Sequence, residues 1–593
     1  MKKWQCSVCG YIHFGEEPPE KCPRCGAPKE KFVLLSEATV KEAKVNSNGE
    51  AYNVDYKAEV LVVGTGAAAF SAAITARKLG ASVIMLEKAS SPGGTTIRSG
   101  GGFWTPNNRF QRAQGIQDKK EDALRYMARY SYPHLYNPKA PRLGVPENQY
   151  QIMEAFYDKA AEMAEFLEDC GAMETIQEIN WIGKPQVDYM DHLPENKGIR
   201  GRVLYSRNAQ GKMDYGYELV RQLQSWAEAN GIKILLDHEV IGILQNQKHE
   251  VTGLEVLSKG EKKYFLAGKA VIFGSGGYSH NSELMLQFQR GPHFGGCSAP
   301  TNTGDFIMLA GSIGARLGNM AGAFRAESLF EEVISNPGGS NNVFYIPGDS
   351  VIEVNKYGKR IMDEKRNYTD RTMMHFVWDP QRAEWTNMLV FMIFDKRTLE
   401  LWQGYPPFPT KDGIPPYIIS GNSWEELVSA LDSRLVDLGE HTGGFRLAEN
   451  FLENLKAEVM RFNEFAKSGI DNDFHRGEFN YDREWTTFPP TNPMETWPPE
   501  GSKNYTMFPL SNIGPYYAVI LGAGTLDTNG GPVINNKAQV LNHRDKPIPG
   551  LYGAGNCIAS PTANAYWGAG STIGPAMTFG YIAGLNAVQE PIK

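Results

Sequence analysis

The chain has 593 residues, 41% of them hydrophobic, and 60 Lys+Arg against 67 Asp+Glu give a formal net charge of −7. That length allows several domains, each with a sizeable core. Mild acidity without a basic block or stripe excludes an electrostatic nucleic-acid binder, and no apolar run approaches the roughly 18 residues that suggest a membrane span.

The start, Met1-Lys2-Lys3-Trp4-Gln5-Cys6, lacks the apolar stretch of a secretory signal. Four of the seven cysteines fall within the first 25 residues. This concentration argues for a metal site in a reducing, cytoplasmic compartment rather than a disulfide framework. Cys6-x-x-Cys9 and Cys22-x-x-Cys25 are two like knuckles, and four thiolates at this spacing can close a tetrahedron around one metal. Zinc holding a small fold together and a redox-active iron both satisfy that pattern.

The words Cys9-Gly10-Tyr11 and Cys22-Pro23-Arg24-Cys25-Gly26-Ala27 resemble the knuckles of the rubredoxin family, in the short form that rubrerythrins carry. Over residues 1–36 the resemblance implies a one-electron Fe(Cys)4 centre, with zinc as the alternative or substitute. Trp4, Tyr11, Phe14 and Phe32 are the expected aromatic core. A segment this short needs its metal to fold. Residues 37–57 are polar and read as a linker.

Ala58 to Val63 is an apolar strand running into Gly64-Thr65-Gly66-Ala67-Ala68-Ala69 and a helix that ends near Leu79-Gly80. A second strand, Ser82 to Leu86, ends on Glu87 and Lys88. Strand, GxGxxA, helix and a following acid form the layout of a dinucleotide site. The glycines let backbone amides and the helix N-terminus approach a pyrophosphate, and Glu87 accepts from a ribose. Pro92-Gly93-Gly94-Thr95-Thr96 and Ser99-Gly100-Gly101-Gly102 make a loop suited to close approach of a flavin. His238-Glu239-Val240 resembles the segment beside the adenine. Val271-Ile272-Phe273-Gly274-Ser275-Gly276 is another strand ending in glycines, and Gly553-Ala554-Gly555-Asn556 repeats the theme. Gly570-Ser571-Thr572-Ile573 opens a helix whose N-terminus would stabilise the charge of reduced flavin.

This succession resembles the FAD-containing flavoproteins of the fumarate reductase and 3-ketosteroid dehydrogenase superfamily, over roughly residues 57–590. It implies an α/β chain with a Rossmann-type (GR2) FAD-binding domain in residues 58–280 and an inserted α+β cap in residues 281–509. The FAD-binding domain returns in residues 510–593. Loops rich in aromatics and proline, Tyr405 to Pro409 and Trp485 to Trp497, suit a site wall or an inert surface equally.

The branch is read where cap meets flavin. Asn355-Lys356-Tyr357-Gly358-Lys359-Arg360-Ile361-Met362-Asp363-Glu364 resembles the superfamily word after which fumarate reductases carry an acid arginine; here the fourth residue after Glu364 is Tyr368. The resemblance to 3-ketosteroid Δ1-dehydrogenases makes Tyr368 the expected proton-transferring residue, its pKa lowered toward working pH. Tyr566-Trp567-Gly568-Ala569-Gly570-Ser571-Thr572-Ile573-Gly574-Pro575 resembles their C-terminal word. It implies that the Tyr566 hydroxyl and the Gly570 N–H donate to a ketone oxygen, with Trp567 replacing a proline and reshaping the pocket wall. Tyr189 is the expected assistant of Tyr368.

The expected activity is reduction of a cyclic enone of steroid-like kind, with electrons supplied through the iron by a redox partner under anaerobic conditions. The alternatives are the same chemistry run as a dehydrogenase, or a fumarate- or enoate-type reductase using Arg366 or Arg371 as acid. A further alternative is a non-catalytic electron-transfer protein with a zinc ribbon.

Overall fold

The computed structural model describes residues 3–8, 11–35, 43–45, 51–339, 341–408, 413–492 and 497–593. The N-terminal unit is a three-stranded antiparallel sheet in which β1 (Lys3–Cys6) lies between β2 (Ile12–Phe14) and β3 (Phe32–Leu35). Its small core is Cys6, Cys22 and Phe32, with Trp4, Tyr11 and Ala27 against them. Cys9 and the Phe14 side chain lie outside the described residues. The expected linker is structured in part. β4 (Ala43–Val45) pairs antiparallel with β5 (Ala51–Asn53), and Val54 is buried with Leu244 and Leu266.

The main sheet starts with β6 (Tyr56–Val63), followed by α1 (Ala67–Lys78) and β7 (Val83–Leu86). The chain returns to it with β8 (Lys233–Leu235), β9 (Glu239–Gln245), β10 (Val251–Ser258) and β11 (Glu261–Phe273). The order is β8–β7–β6–β11–β10–β9. Parallel strands covered on both faces by other layers read as unbroken apolar runs, as in Val60-Leu61-Val62-Val63. β6, β7 and β11 run parallel and end together at Val63, Leu86 and Phe273.

A second sheet carries the cap. It contains β12 (Ala323–Leu329) and β13 (Val351–Val354), the short α2 (Tyr368–Thr372), β14 (Leu389–Asp395), the helix α3 (Phe451–Ser468) and β15 (Tyr516–Thr528). β15 is central, with β12 on one side and β14 on the other. Alternate residues of β14 separate two cores. Phe391 and Ile393 pack with Leu455 and Phe462 of α3, while Val390, Met392 and Phe394 pack with Trp402 and Phe408. The cap sheet therefore extends past the expected boundary at residue 509, because the long apolar strand β15 has neighbours on both edges only there. The chain rejoins the main sheet at β16 (Pro547–Gly553), parallel to β11, and closes with α4 (Ile573–Ala587).

α4 lies against α1 at a distance only glycine permits. A Cβ on Gly580 would stand 2.3 Å from the Ala68 carbonyl oxygen, and the Ser71 hydroxyl donates to the Met577 carbonyl at 2.7 Å. Gly580→Ala is expected to destabilise the body by about 1–3 kcal/mol through overpacking. Gly439→Ala, where an added Cβ meets nothing within 4 Å, serves as control. A Gly580→Ala thermal midpoint equal to that of the control would contradict this packing.

Candidate active site

The carboxyl ends of β6, β7, β11 and β16 open on one cavity of ≈ 770 Å³, in the position where open α/β sheets bind their ligands. One part is lined by the dinucleotide words. Gly64, Gly66 and Ala68 begin α1 there, with Glu87, Lys88, Gly94, Thr95, Thr96 and Ser99 to Gly102 around them. Val240, Gly274, Ser275, Gly276, Gly555, Asn556, Thr572 and Ile573 complete this part. Gly64 has φ +99° and an added Cβ would stand 2.5 Å from the Gly274 carbonyl oxygen, so the backbone crosses here because both residues lack side chains. Glu87 accepts from the Thr65 hydroxyl at 2.6 Å and the Ala89 N–H at 2.9 Å, which fixes its carboxylate at the cavity edge. Lys88 pairs with Asp305 at 2.9 Å and with Glu239 at 3.5 Å. A glycine-lined cradle, a helix N-terminus and an oriented acid are the donor set a dinucleotide needs, so the residues present fit FAD.

Four of the expected cofactor residues stand behind the lining. Gly93 donates its N–H to Thr65 at 2.9 Å, Ala69 packs under Gly274, Ser571 bonds the Gly568 backbone, and Glu239 meets Lys88.

The other part of the cavity brings three tyrosines together. The Tyr189 hydroxyl donates to that of Tyr368 at 3.0 Å. The Tyr189 and Tyr566 rings stack at 5.3 Å, and Tyr368 meets Tyr566 edge-on at 5.5 Å. Tyr189 is set by the neighbouring Asp188, which accepts from Trp104 Nε1 at 2.7 Å and pairs with the buried Arg202. Tyr368 opens α2, capped by Asn367, whose side chain accepts from the Asp370 N–H at 3.0 Å. The word before it is locked by ion pairs sealed from water, with Glu364 held by Arg360 at 2.9 Å and Arg476 at 3.1 Å. The Tyr566 oxygen accepts from Thr572 at 3.1 Å. Gly570, at φ +81°, closes on Gly102, whose carbonyl would lie 2.4 Å from a Cβ.

Burial pushes the Tyr368 phenol well above its ordinary range, the neighbouring Tyr566 adds to the rise, and the Tyr189 hydroxyl offsets part of it. The lowered pKa expected for Tyr368 is therefore reversed, since the lining around it holds phenols rather than cations. Burial likewise raises Tyr566, with Thr572, Tyr368 and the Gly570 N–H pulling it back. Burial raises Tyr189 well above its ordinary range too.

Trp567 does not line the cavity. It packs behind, against Trp104 at 5.3 Å and Phe156 at 5.4 Å, and donates to Ser131 at 2.9 Å. Trp485 lines the cavity, and Tyr405 and Phe488 pack against the lining residue Tyr345. Both aromatic loops thus support a wall. Arg366 and Arg371 are engaged elsewhere. Arg366 pairs with Asp482 at 2.7 Å, and Arg371 with Glu327 at 2.6 Å.

Sequence reasoning missed Asp527 and Asn302. Asp527 accepts from the Gly277 N–H at 2.8 Å, Ser279 at 2.9 Å, Asn302 at 2.8 Å and Asn556 at 3.2 Å. It clasps loops from both sheets. The available signal was an acid ending a long apolar strand, as Glu87 does. Cys297 also lines the cavity, and burial pushes its thiol up to about 12, which keeps it protonated at neutral pH. Gly64→Ala is expected to lower flavin content at least about tenfold, read as visible flavin absorbance per protein. Full occupancy in that variant would overturn the cradle.

In the N-terminal unit the Cys6, Cys22 and Cys25 sulfurs all lie within 4.8 Å of one another, near enough to share one ion. Comparison with known proteins agrees with both units. Residues 59–573 match the FAD binding domain model, and residues 4–33 match that of the rubrerythrin rubredoxin-like domain. The chain is 30% identical over 561 residues to 4-oxocyclohexanecarboxylate 2-dehydrogenase of Sinomonas cyclohexanicum, covering 89% of this chain and 92% of that protein. It is 29% identical over 608 residues to 3-oxosteroid 1-dehydrogenase of Mycolicibacterium smegmatis, covering 90% and 98%. The fold matches the 3-ketosteroid Δ1-dehydrogenase structure of Sterolibacterium denitrificans, with TM-score 0.74 and 24% identity over 90% of this chain and 99% of that one. Among the described residues no helix is long and apolar enough to cross a membrane. The chain belongs to the FAD-binding domain family, as a flavoprotein oxidoreductase with a rubredoxin-like domain near its N-terminus.

Proposed function

We propose that the protein acts on the CH–CH bond beside the ketone of a cyclic, steroid-like substrate, and that it works as an enone reductase. The observation that carries this reading is the convergence of Tyr189, Tyr368 and Tyr566 at the mouth of the flavin cradle. The relatives that bear the names of ring-ketone dehydrogenases support the bond and the substrate class, and the reductase direction rests on the tyrosine site and the rubredoxin-like domain.

FAD, held by the glycine words and Glu87, supplies two-electron hydride chemistry when bound. The Tyr566 O–H and the Gly570 N–H hold the ketone oxygen and stabilise charge developing on it. Tyr368 holds the proton destined for the α-carbon, and Tyr189 orients that phenol through their hydrogen bond. A phenol pushed up by burial keeps its proton at neutral pH, which is the state a proton donor needs. The dehydrogenase direction uses the same residues with Tyr368 as base. Arg366 and Arg371, held by Asp482 and Glu327, are poor candidates for the acid of a fumarate-type reductase.

Cys6, Cys22 and Cys25, with Cys9, would hold one iron, which when bound would supply one-electron chemistry toward a redox partner in a reducing, cytoplasmic and low-oxygen setting. Zinc in the same place would leave a structural ribbon.

Anaerobic stopped-flow tests the direction. Reduced enzyme mixed with a cyclic enone is expected to reoxidise. If it stays reduced while a saturated ketone reduces the oxidised enzyme, the reductase reading fails. Tyr368→Phe is expected to lower turnover about 10²–10⁴-fold with ligand binding kept. Because the acid form is active and its pKa is raised, the enone rate should stay flat through neutral pH and fall only in alkali. A rate that climbs with pH would mark Tyr368 as a base.

Cys22→Ser is expected to lose the metal and to slow reduction of FAD by a one-electron donor at least about tenfold. Enone-driven reoxidation of photoreduced enzyme should be unchanged. Equal donor rates in variant and wild type, or a colourless metal site, would remove the iron from the reaction.

A further inference from the structure

Beyond the dinucleotide loops the cavity wall is aromatic and apolar, with Tyr205, Met213, Phe344, Tyr345 and Trp485 beside the three tyrosines. Apart from Asp527, whose carboxylate is taken up clasping the Gly277 and Asn556 loops, the described residues of that wall carry one carboxyl group, Glu178, and no Lys, Arg or His. The basic lining residues stand with the dinucleotide words and are engaged there. Lys88 is paired with Asp305, and Arg98 donates to the Ser298 and Gly338 carbonyls at 2.7 Å.

Glu178 follows the short strand Thr175–Gln177 and neighbours Tyr205 of the adjacent strand Val203–Arg207. Its Oε2 is sealed from solvent and has no hydrogen-bond partner. The polar side chains near it are Tyr205 and Gln186, and Gln186 Oε1 is itself buried without a partner. Tyr205 packs on Gly102, the residue that Gly570 closes upon, and is electrostatically coupled to both Glu178 and Tyr566. Glu178 is thus one aromatic ring away from the expected ketone pocket. Burial raises the Glu178 carboxyl, hydrogen bonding by Tyr205 and Gln186 offsets part of that rise, and a donor from the occupant of the cavity to this lining carboxyl would offset more. A second carboxylate would set two like charges together in a poorly solvated space.

We propose that Glu178 is a specificity-determining residue: it accepts a hydrogen bond from a hydroxyl group of the cyclic ketone and rejects a ring carrying a carboxylate. The assignment rests on the reading of the tyrosine site given above.

The test is ligand binding to oxidised holoenzyme, followed by perturbation of the flavin spectrum, in wild type, Glu178→Gln and Glu178→Ala. The probes are 2-cyclohexenone and its 4-hydroxy and 4-carboxylate derivatives, with a 3-ketosteroid as a further ligand. Wild type is expected to bind the hydroxy ketone about tenfold tighter than the parent and the carboxylate about tenfold weaker. Glu178→Ala should bring the hydroxyl preference within about twofold of unity. Glu178→Gln should recover carboxylate binding while leaving flavin content and the parent affinity unchanged. Ratios in both variants equal to those of wild type would overturn the role of Glu178 while leaving the ketone site standing. If neither the three cyclohexenones nor the ketosteroid perturbs the flavin of any protein, the ketone reading fails and this assignment with it.

Discussion

A hydrogen bond between two buried phenols, Tyr189 and Tyr368, joins positions 179 residues apart, and the stack of Tyr189 on Tyr566 joins that pair to the C-terminal segment. Three hydroxyl-bearing rings packed together out of water stay in place only if the surrounding backbone is stiff. That stiffness comes from ion pairs with almost no solvent exposure. Arg202 spans Asp118 and Asp188 behind Tyr189. Arg360 and Arg476 close on Glu364, and Arg371 on Glu327, on either side of Tyr368. Buried charges are costly unless fully paired, and stripping one partner costs about 3–5 kcal/mol. These pairs are therefore better understood as fixing geometry than as net stabilisation.

The same geometry depends on the two sheets meeting at one edge. The parallel strands end together at Val63, Leu86 and Phe273, while the cap sheet delivers Asp527 from the end of β15. Asp527 gathers four donors from loops as distant as Gly277 and Asn556. Tyr368 arrives from the cap and Tyr566 from the returning segment, so the site exists only where cap and flavin domain are clasped.

The chain announced the parts of this arrangement that depend on local backbone chemistry. Gly64, Gly274 and Gly570 are needed because a Cβ has no room, and such positions leave glycine words in the sequence. The paired Cys-x-x-Cys knuckles are equally local. Tyr368 and Tyr566 were legible through the words around them. What long-range packing decides was not legible. Tyr205, Phe344 and Tyr345 carry no motif, and their meeting in one wall depends on strand register and loop placement. Trp567, read as part of the wall, turned inward because Trp104 and Phe156 offer its indole a packed site and Ser131 a partner for its N–H. The pKa of Tyr368 was misjudged for a related reason. The type of residue was visible, but the absence of a cation among its described lining neighbours was a property of the fold.

That phenol-rich surrounding, without a Lys or Arg beside the three tyrosines, constrains the chemistry more tightly than any single residue. In the proposed reaction, negative charge developing on a ketone oxygen would meet hydroxyl and amide donors, not Lys or Arg. Once a substrate displaces water from the cavity, such donors count for far more than they would in solution. They suit an uncharged ring ketone, whose charge appears only along the reaction path, and not a dicarboxylate, whose charge must be matched on arrival. A phenol that resists ionisation completes the logic, because it can hand a proton to the α-carbon without first placing a standing negative charge beside the enolate oxygen. Reduction of a neutral enone asks each of these groups to act from the protonation state that burial already imposes on it.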